Sequence, residues 1–543
     1  MKRRILIIGI DGGTWRILQP AMEQGYMPHL KSLVDSGASG ILESTIPAIT
    51  PAAWSSFQTG MNPGETGVMD FYRWDKKQRQ GTIVNSNSLP QTIWEYAGKA
   101  GKRVGVLNVP MTFPPRGING YMITGLLTPG LGSQFTYPAE LKDDLLQAVP
   151  GYGILTLAKA LSESPDSQIK GFIRKMRDNL DRRTEAAGFL IKKEPLDMLM
   201  VHFQAPDVVQ HGMWGYMDEE HPLYDAAKHK YILKHFYGRL DENIGCVCRS
   251  FTESGTGDQI TYVISDHGFQ SHQKVFRLGV WLRRQGYLKL NPRSTNTPLP
   301  KKITKKLGVG KLLGRFMAKE RLSRIEASFH LDTEPIAWSQ SKAFAKAGNC
   351  EGFIYLLEEN ERQRQATADE ITEKLSGIKD PETGAPVVAA VHPKEKIYQG
   401  RYMELMPDLI VEPTDGYSFL GKYQPTEELF HTINIDQDAH IGKHHKDGIL
   451  VVTGNGIAQR KDIKANITDL APSILYCLGA PYREDSDGKI IEDIFTESFD
   501  HKSDIAQTTT PENAKNEEKE EKGIYTRQDE KEIENRLRDL GYL

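Results

Sequence analysis

Residues 1–13 read MKRRILIIGIDGG, and the fold is decided by how this stretch is read. Its start is basic, but the apolar run is too short for the hydrophobic region of a secretion signal. It also meets Asp11 rather than a small-residue cleavage site. The run therefore reads as a first β-strand. It is continuously apolar instead of alternating, which is the pattern of a strand buried on both faces. Residues 103–108, 198–203, 260–265 and 448–453 have the same character and are flanked by helical patterns. Such alternation predicts an α/β fold, a mainly parallel sheet sandwiched by helices.

In sheets of this kind chemistry gathers at the carboxyl ends of the strands, where loops converge beside helix N-termini. Polar residues fall there. Asp11 directly follows the first run, Asp207 follows the 198–203 run by a few residues, and Asp266 with His267 directly follows the 260–265 run.

The whole chain sets the bounds. Its 543 residues, 39% hydrophobic, can bury a large core. The 68 lysines and arginines nearly balance the 71 aspartates and glutamates, for a net charge of -3. No overall field then draws the protein to nucleic acid, and an anionic substrate has to be captured locally. No uninterrupted apolar stretch is long enough to cross a bilayer, so the expectation is a cytoplasmic protein without a transmembrane segment. The spacing of Cys246, Cys248, Cys350 and Cys477 suits neither a zinc knuckle nor a redox pair, and they read as free thiols.

Composition shifts divide the chain. Residues 1–287 hold the first part of the α/β core. Residues 288–345 read as an inserted basic cap, with the lysine-rich 301–325 stretch KKITKKLGVGKLLGRFMAKERLSRI. That stretch reads as a solvated lid face, or as a cationic helix for peripheral contact with anionic lipid. Residues 346–497 read as the core's continuation. Residues 498–524 are almost devoid of apolar side chains and predict a disordered linker. The last segment, 525–543, predicts an amphipathic helix with Ile533, Leu537 and Leu540 on one face and Gly541 at its end.

The segment IPAITPAAWSSFQTG places Thr50 directly before Pro51 and a short helix that stops near Gly60. This is the pattern of an N-cap threonine with proline at the first helical position. The same geometry puts a hydroxyl in positive potential beside free backbone amides that can hold phosphate oxygens. A threonine hydroxyl still needs a base or a metal to become a nucleophile at neutral pH. Asp11, Asp266 and His267, the Asp207 to His211 step, and His440, His444 and His445 supply oxygen and imidazole groups that suit zinc or manganese. Taken one by one, each also reads as a cap, a satisfied polar residue or one turn of a solvated helix. Their order along the chain and their places at successive strand ends distinguish them.

These residues lie in motifs that resemble the alkaline phosphatase superfamily, and within it the type I phosphodiesterase and nucleotide pyrophosphatase branch. The likeness runs through IGIDGGTW, STIPAITPAAWSSFQTGMNPGETGV, FQAPDVVQHGMW, SDHGF, MPDLIVEPTDGY, GKHHKDGILVVTG, ITDLAPSILYCLGAP and the terminal RLRDLGYL. It implies two divalent metal ions, zinc or manganese. Asp11, Thr50, Asp266 and His267 would surround one. Asp207, His211 and His444 would surround the other, with His445 as the fallback for His444. It further implies a phosphothreonine intermediate at Thr50 and a small-molecule phosphoester substrate, a phosphodiester or nucleotide-type pyrophosphate ahead of a monoester. The same site would also serve a phosphomutase; a metal-stabilised binding protein without catalysis is the alternative from another class. Two positions depart from the relatives. Ala53 stands where diesterases carry a phosphate-binding asparagine, leaving the backbone amides after Thr50, or Asn62, Arg16 and Arg73, as replacements, and Thr66 stands where many carry histidine. The second group on the phosphate is expected to lie against Trp54 or the cap.

Overall fold

The computed structural model describes residues 3–154, 165–291, 336–348, 350–433, 441–499 and 523–540. The basic 301–325 stretch, His440, almost all of the 498–524 linker and Gly541 lie outside the described residues. The central sheet has nine strands: β1 Arg3–Ile10, β2 Ala38–Glu43, β3 Val104–Leu107, β4 Gly120–Ile123, β5 Thr136–Tyr137, β6 Met198–Phe203, β7 Asp258–Ile264, β8 Asp447–Gly454 and β9 Ile463–Asn466. They lie in the order β9-β2-β8-β7-β1-β6-β3-β4-β5. The sheet is mainly parallel, but β8 runs antiparallel to both β2 and β7. The apolar pattern of residues 448–453 is the same in either direction, because it reports burial on both faces and not strand sense.

Strand alternation sends β1 side chains to opposite cores. Leu6, Ile8 and Ile10 join one apolar cluster with the Pro165–Lys193, Ala205–Met217 and Gly238–Glu253 helices. Ile5 and Ile7 join the other, beneath the Thr50–Thr59 and Leu470–Leu478 helices. Helices thus cover both faces of the sheet. The Arg527–Leu540 helix docks on the first cluster through Ile533, Leu537 and Leu540, and Arg536 Nη1 ties it to the Thr128 carbonyl at 2.6 Å. All four cysteines are free.

The neighbouring strands β7, β1 and β6 are parallel and in register, with Gly9 opposite both Ile264 and His202 and Ile10 opposite Phe203. Their carboxyl ends therefore lie side by side, and this aligns the polar residues that follow them.

Strands Ala343–Ala347, Gly352–Leu356, Val388–Pro393 and Leu409–Pro413 build a separate antiparallel sheet over an apolar cluster of their own. At the seam between the two sheets burial pushes the Asp70 carboxyl up to about 7, against the Phe71 N–H that favours its charged form. A carboxyl raised in this way stabilises the fold fully below its unfolded value, near 4, and that contribution is lost as pH rises through 7. Thermal midpoints are therefore expected to fall between about pH 4 and pH 7 more steeply in the wild type than in Asp70→Asn. Parallel pH profiles for the two proteins would contradict the assignment.

Candidate metal centre

The carboxyl end of β1 makes a sharp turn. Asp11 N–H donates to the Phe203 carbonyl (3.0 Å), and Gly12 follows at φ 67. A Cβ at Gly12 would lie 2.9 Å from the Phe269 ring, so only glycine fits here. The turn is pinned to both neighbours: Gly12 N–H donates to Asp266 Oδ1 (3.1 Å), and Gln210 Nε2 donates to the Gly12 carbonyl (2.8 Å). Asp207 and His211 stand one turn apart on the Ala205–Met217 helix, facing the same way. His267 leads into the strand Gly268–Ser271, which pairs antiparallel with Gly442–His445 and sets Phe269 opposite His444.

The structure brings Asp11, Asp207, His211, Asp266, His267, His444 and Thr50 together, and none is more than 3% exposed. Asp11, Asp266 and His267 place ligand atoms within 4.8 Å of one another, as do Asp207, His267 and His444. His267 joins the two groups, stacking on His444 with ring centroids 3.6 Å apart. His211 Nε2 lies 3.5 Å from Asp207 Oδ1, and His444 Nε2 lies 3.1 Å from the same oxygen.

Three histidines share one arrangement. His211 Nδ1 is 3.1 Å from the Gly442 carbonyl, His267 Nδ1 is 3.1 Å from the Gly268 carbonyl, and His444 Nδ1 is 3.0 Å from the Ala48 carbonyl. A carbonyl only accepts, so each Nδ1 carries the proton and each Nε2 presents a lone pair inward. His211 Nε2 and His444 Nε2 then face each other at 3.0 Å. Two lone pairs at that distance repel unless positive charge, a shared proton or a cation, lies between them.

The carboxylates point the same way. Asp11 Oδ1 and Asp266 Oδ2 are buried without a hydrogen-bond partner among the described residues. Burial, then the Asp266 and Asp207 charges, pushes the Asp11 carboxyl well above its usual range, and burial does the same to Asp266. Burial also opposes the Asp207 charge, but His211 and His444 outweigh it and hold that carboxyl well below its usual range. Burial drives His267 well below the usual imidazole range, so it is a neutral ligand donor. Orphaned oxygens and converging neutral nitrogens form a donor set that fits divalent cations, whose charge reverses the penalty on the buried carboxylates.

Thr50 departs from the N-cap expectation. Ile49 is the cap, its carbonyl accepting from Ala53 N–H (3.0 Å), and the helix runs Thr50–Thr59 with proline one place later than the pattern suggested. The Thr50 hydroxyl makes no capping bond. It lies 3.4 Å from His267 Nε2, at the junction of the two groups.

Other expectations change as well. Trp54 is fully buried against Phe57 and His202, so it offers no surface to a substrate. Asn62 caps the Pro63–Thr66 helix through Gly64 N–H and donates to Asp487 Oδ2 (2.8 Å). Arg73 binds the Gly67 carbonyl (3.0 Å) and lies over the Tyr402 ring. Both are committed elsewhere. Arg16 remains, more than half exposed, 3.9 Å from Asp415. Thr66 is buried and accepts from Val68 N–H, a packing role. His445 turns away from the centre toward Asp415, 3.5 Å away.

Residues not singled out from the sequence also reach the centre. His202 Nε2 lies 3.0 Å from Asp11 Oδ2. Its one signal was a histidine inside the otherwise apolar run MLMVHF. Glu351, from the smaller sheet's side, accepts from Ala48 N–H (3.1 Å), on the residue whose carbonyl accepts from His444 Nδ1. Glu351 Oε2 and Lys443 Nζ are buried without partners among the described residues, and burial lowers the Lys443 ammonium's pKa. Nothing in the sequence joined residues so far apart.

The profile of the family described as Type I phosphodiesterase / nucleotide pyrophosphatase matches residues 5–447. Among solved structures, the chain is similar to human ectonucleotide pyrophosphatase / phosphodiesterase 5 at 14% identity and TM-score 0.51, covering 91% of this chain and 100% of that one. It is also similar to phosphonoacetate hydrolase from Sinorhizobium meliloti 1021 in complex with phosphonoformate, at 14% identity and TM-score 0.54, covering 88% and 96%. At such identities the likeness shows a shared α/β fold. No curated protein matches by sequence. Among the described residues no helix is long and apolar enough to cross a membrane.

Proposed function

The chain belongs to the type I phosphodiesterase / nucleotide pyrophosphatase family, a family of metal-dependent phosphoric ester hydrolases, and from that premise we propose that it cleaves a phosphodiester or nucleotide-type pyrophosphate through a phosphothreonine at Thr50. The observation that carries the reading is the pair of Nε2 atoms of His211 and His444 facing each other at 3.0 Å beside the Thr50 hydroxyl's corner of the site. Asp11, Asp266 and His267 would hold one divalent cation, and Asp207 and His444, joined by His211 3.5 Å from Asp207 Oδ1, the other, zinc or manganese. When bound, the pair supplies Lewis acidity that lowers the pKa of the threonine hydroxyl and neutralises charge gathering on phosphoryl oxygens.

The chain's own residues do the rest. Thr50 Oγ1 attacks phosphorus in line with the leaving alkoxide or phosphate, which departs from the opposite side; the proton that Thr50 loses passes to solvent, from which the leaving group is reprotonated. Its place at a helix start aims first-turn backbone amides at the phosphoryl oxygens, and this replaces the asparagine absent at Ala53. His267 Nε2 is close to Thr50 but converges on both ligand groups, so it serves as ligand and not as base. Water then hydrolyses the phosphothreonine and regenerates Thr50.

Preference for a substituted phosphate follows from the positive charge on hand. Of the three candidates, Asn62 and Arg73 are committed to the fold and Arg16 stands at the rim. A monoester carries one more negative charge, which Asn62 and Arg73 are too committed to meet. Under one metal, catalytic efficiency on bis-p-nitrophenyl phosphate should exceed that on p-nitrophenyl phosphate. A ratio favouring the monoester overturns the preference, and its reversal in Arg16→Ala would identify Arg16 as the clamp. Isomerised product from a sugar phosphate, in place of free phosphate, would assign the site to a mutase.

A further inference from the structure

Asp11 uses its two oxygens differently. Oδ2 lies 3.0 Å from His202 Nε2, while Oδ1 has no hydrogen-bond partner among the described residues and stands 3.7 Å from His267 Nε2, on the side of the ligand group. Asp11 and His202 are at most 1% exposed, so no bulk water substitutes for either contact. His202 is held in turn. Its ring meets Trp54 edge to face, with centroids 4.8 Å apart and planes at 88°. The indole fills the space above Gly9, where a Cβ would lie 2.7 Å from Trp54 Cη2 and 3.4 Å from His202 Cδ2. Trp54 stands one helical turn after Thr50 on the same helix.

We propose that His202, braced by Trp54, is a positioning residue that occupies Asp11 Oδ2 and so presents Asp11 as a one-oxygen ligand through Oδ1. The inference rests on the two-metal reading above. Groups behind a metal ligand fix its orientation and basicity, and their loss typically weakens metal binding about 10- to 100-fold. Here the brace has a second consequence. The helix that carries Thr50 leans through Trp54 on the residue that orients Asp11, so ligand and nucleophile share one support. Gly9 is the condition for it, because any side chain there expels the indole.

The test is a zinc titration of metal-free protein by calorimetry, with urea unfolding midpoints recorded alongside. His202→Ala should bind zinc about 10- to 100-fold more weakly at one of two sites and leave the other unchanged. His202→Gln, whose amide reaches Oδ2, should recover most of that loss; a merely structural histidine would show no such rescue. If His202→Ala does not fold, His202→Asn takes its place, being polar but too short to reach Asp11. Asp11→Asn runs in parallel. Loss of a zinc site in Asp11→Asn with both sites intact in His202→Ala overturns the positioning role alone. Two intact sites in Asp11→Asn overturn the metal reading, and this inference with it.

Discussion

Thr50→Ala is expected to reduce turnover by at least about 10³-fold, the scale on which nucleophile removal acts in covalent catalysis. Thr50 Oγ1 forms the bond to phosphorus in the proposed step, and it lies 3.4 Å from His267 Nε2, on the residue shared by the two ligand groups. The fold should scarcely register the change. Thr50 is fully buried, but its hydroxyl caps no amide, and its one polar neighbour is His267 Nε2 at 3.4 Å. The unfolding midpoint and the zinc content should therefore stay near wild type. Thr50→Ser keeps the hydroxyl and should keep part of the turnover, together with trapping of labelled phosphate on the chain. Turnover in Thr50→Ala within tenfold of wild type would remove the covalent mechanism.

His444→Ala should be nearly as damaging, by a different route. His444 Nε2 meets Asp207 Oδ1 at 3.1 Å and faces His211 Nε2, while its Nδ1 holds the Ala48 carbonyl two residues before Thr50. Its removal takes a ligand from one group and a tether from the nucleophile's loop. Elemental analysis should find about one metal ion per chain where the wild type holds about two, and activity should fall by more than about 100-fold. His445→Ala is the matched control. That ring faces Asp415 near the surface, so its loss should leave metal content and activity almost unchanged. Equal damage from both substitutions would mean that the loop, and not the ligand, is being read.

The sequence carried the parts of this centre that obey local rules. Asp11, Asp266 and His267 were legible because each follows an apolar run directly, and a parallel sheet brings such ends together. Asp207 and His211 were legible as one helical turn. His444 was chosen over His445 by resemblance; the structure turns the first inward and the second toward Asp415, because adjacent residues of a strand point to opposite sides. What stayed hidden depends on long-range packing. Trp54 reads as a substrate platform beside the nucleophile, yet Gly9 opens a slot that takes its ring beneath the sheet. Asn62 and Arg73 read as phosphate clamps, yet Asp487 and Tyr402, hundreds of residues away, claim them. The direction of β8 and the separate sheet after Ala343 were invisible for the same reason, since apolar pattern reports burial and not partner.

The short ribbon formed by Gly268–Ser271 and Gly442–His445 also bears on when the proposed site is complete during synthesis. His444 follows Asp207 by 237 residues, and it reaches the site only as part of the ribbon's second strand. A chain still leaving the ribosome at residue 430 has already made every other ligand of the centre. It can form β1, β6 and β7, but it cannot close the second ligand group, and its Gly268–Ser271 strand has an unpaired edge. Closing so long a loop is slow, and an open edge invites pairing with other chains. On the proposed reading, hydrolytic competence is coupled to completion of the central sheet: a fragment ending before Gly442 is expected to be inert toward phosphate esters and, with that edge open, prone to aggregation.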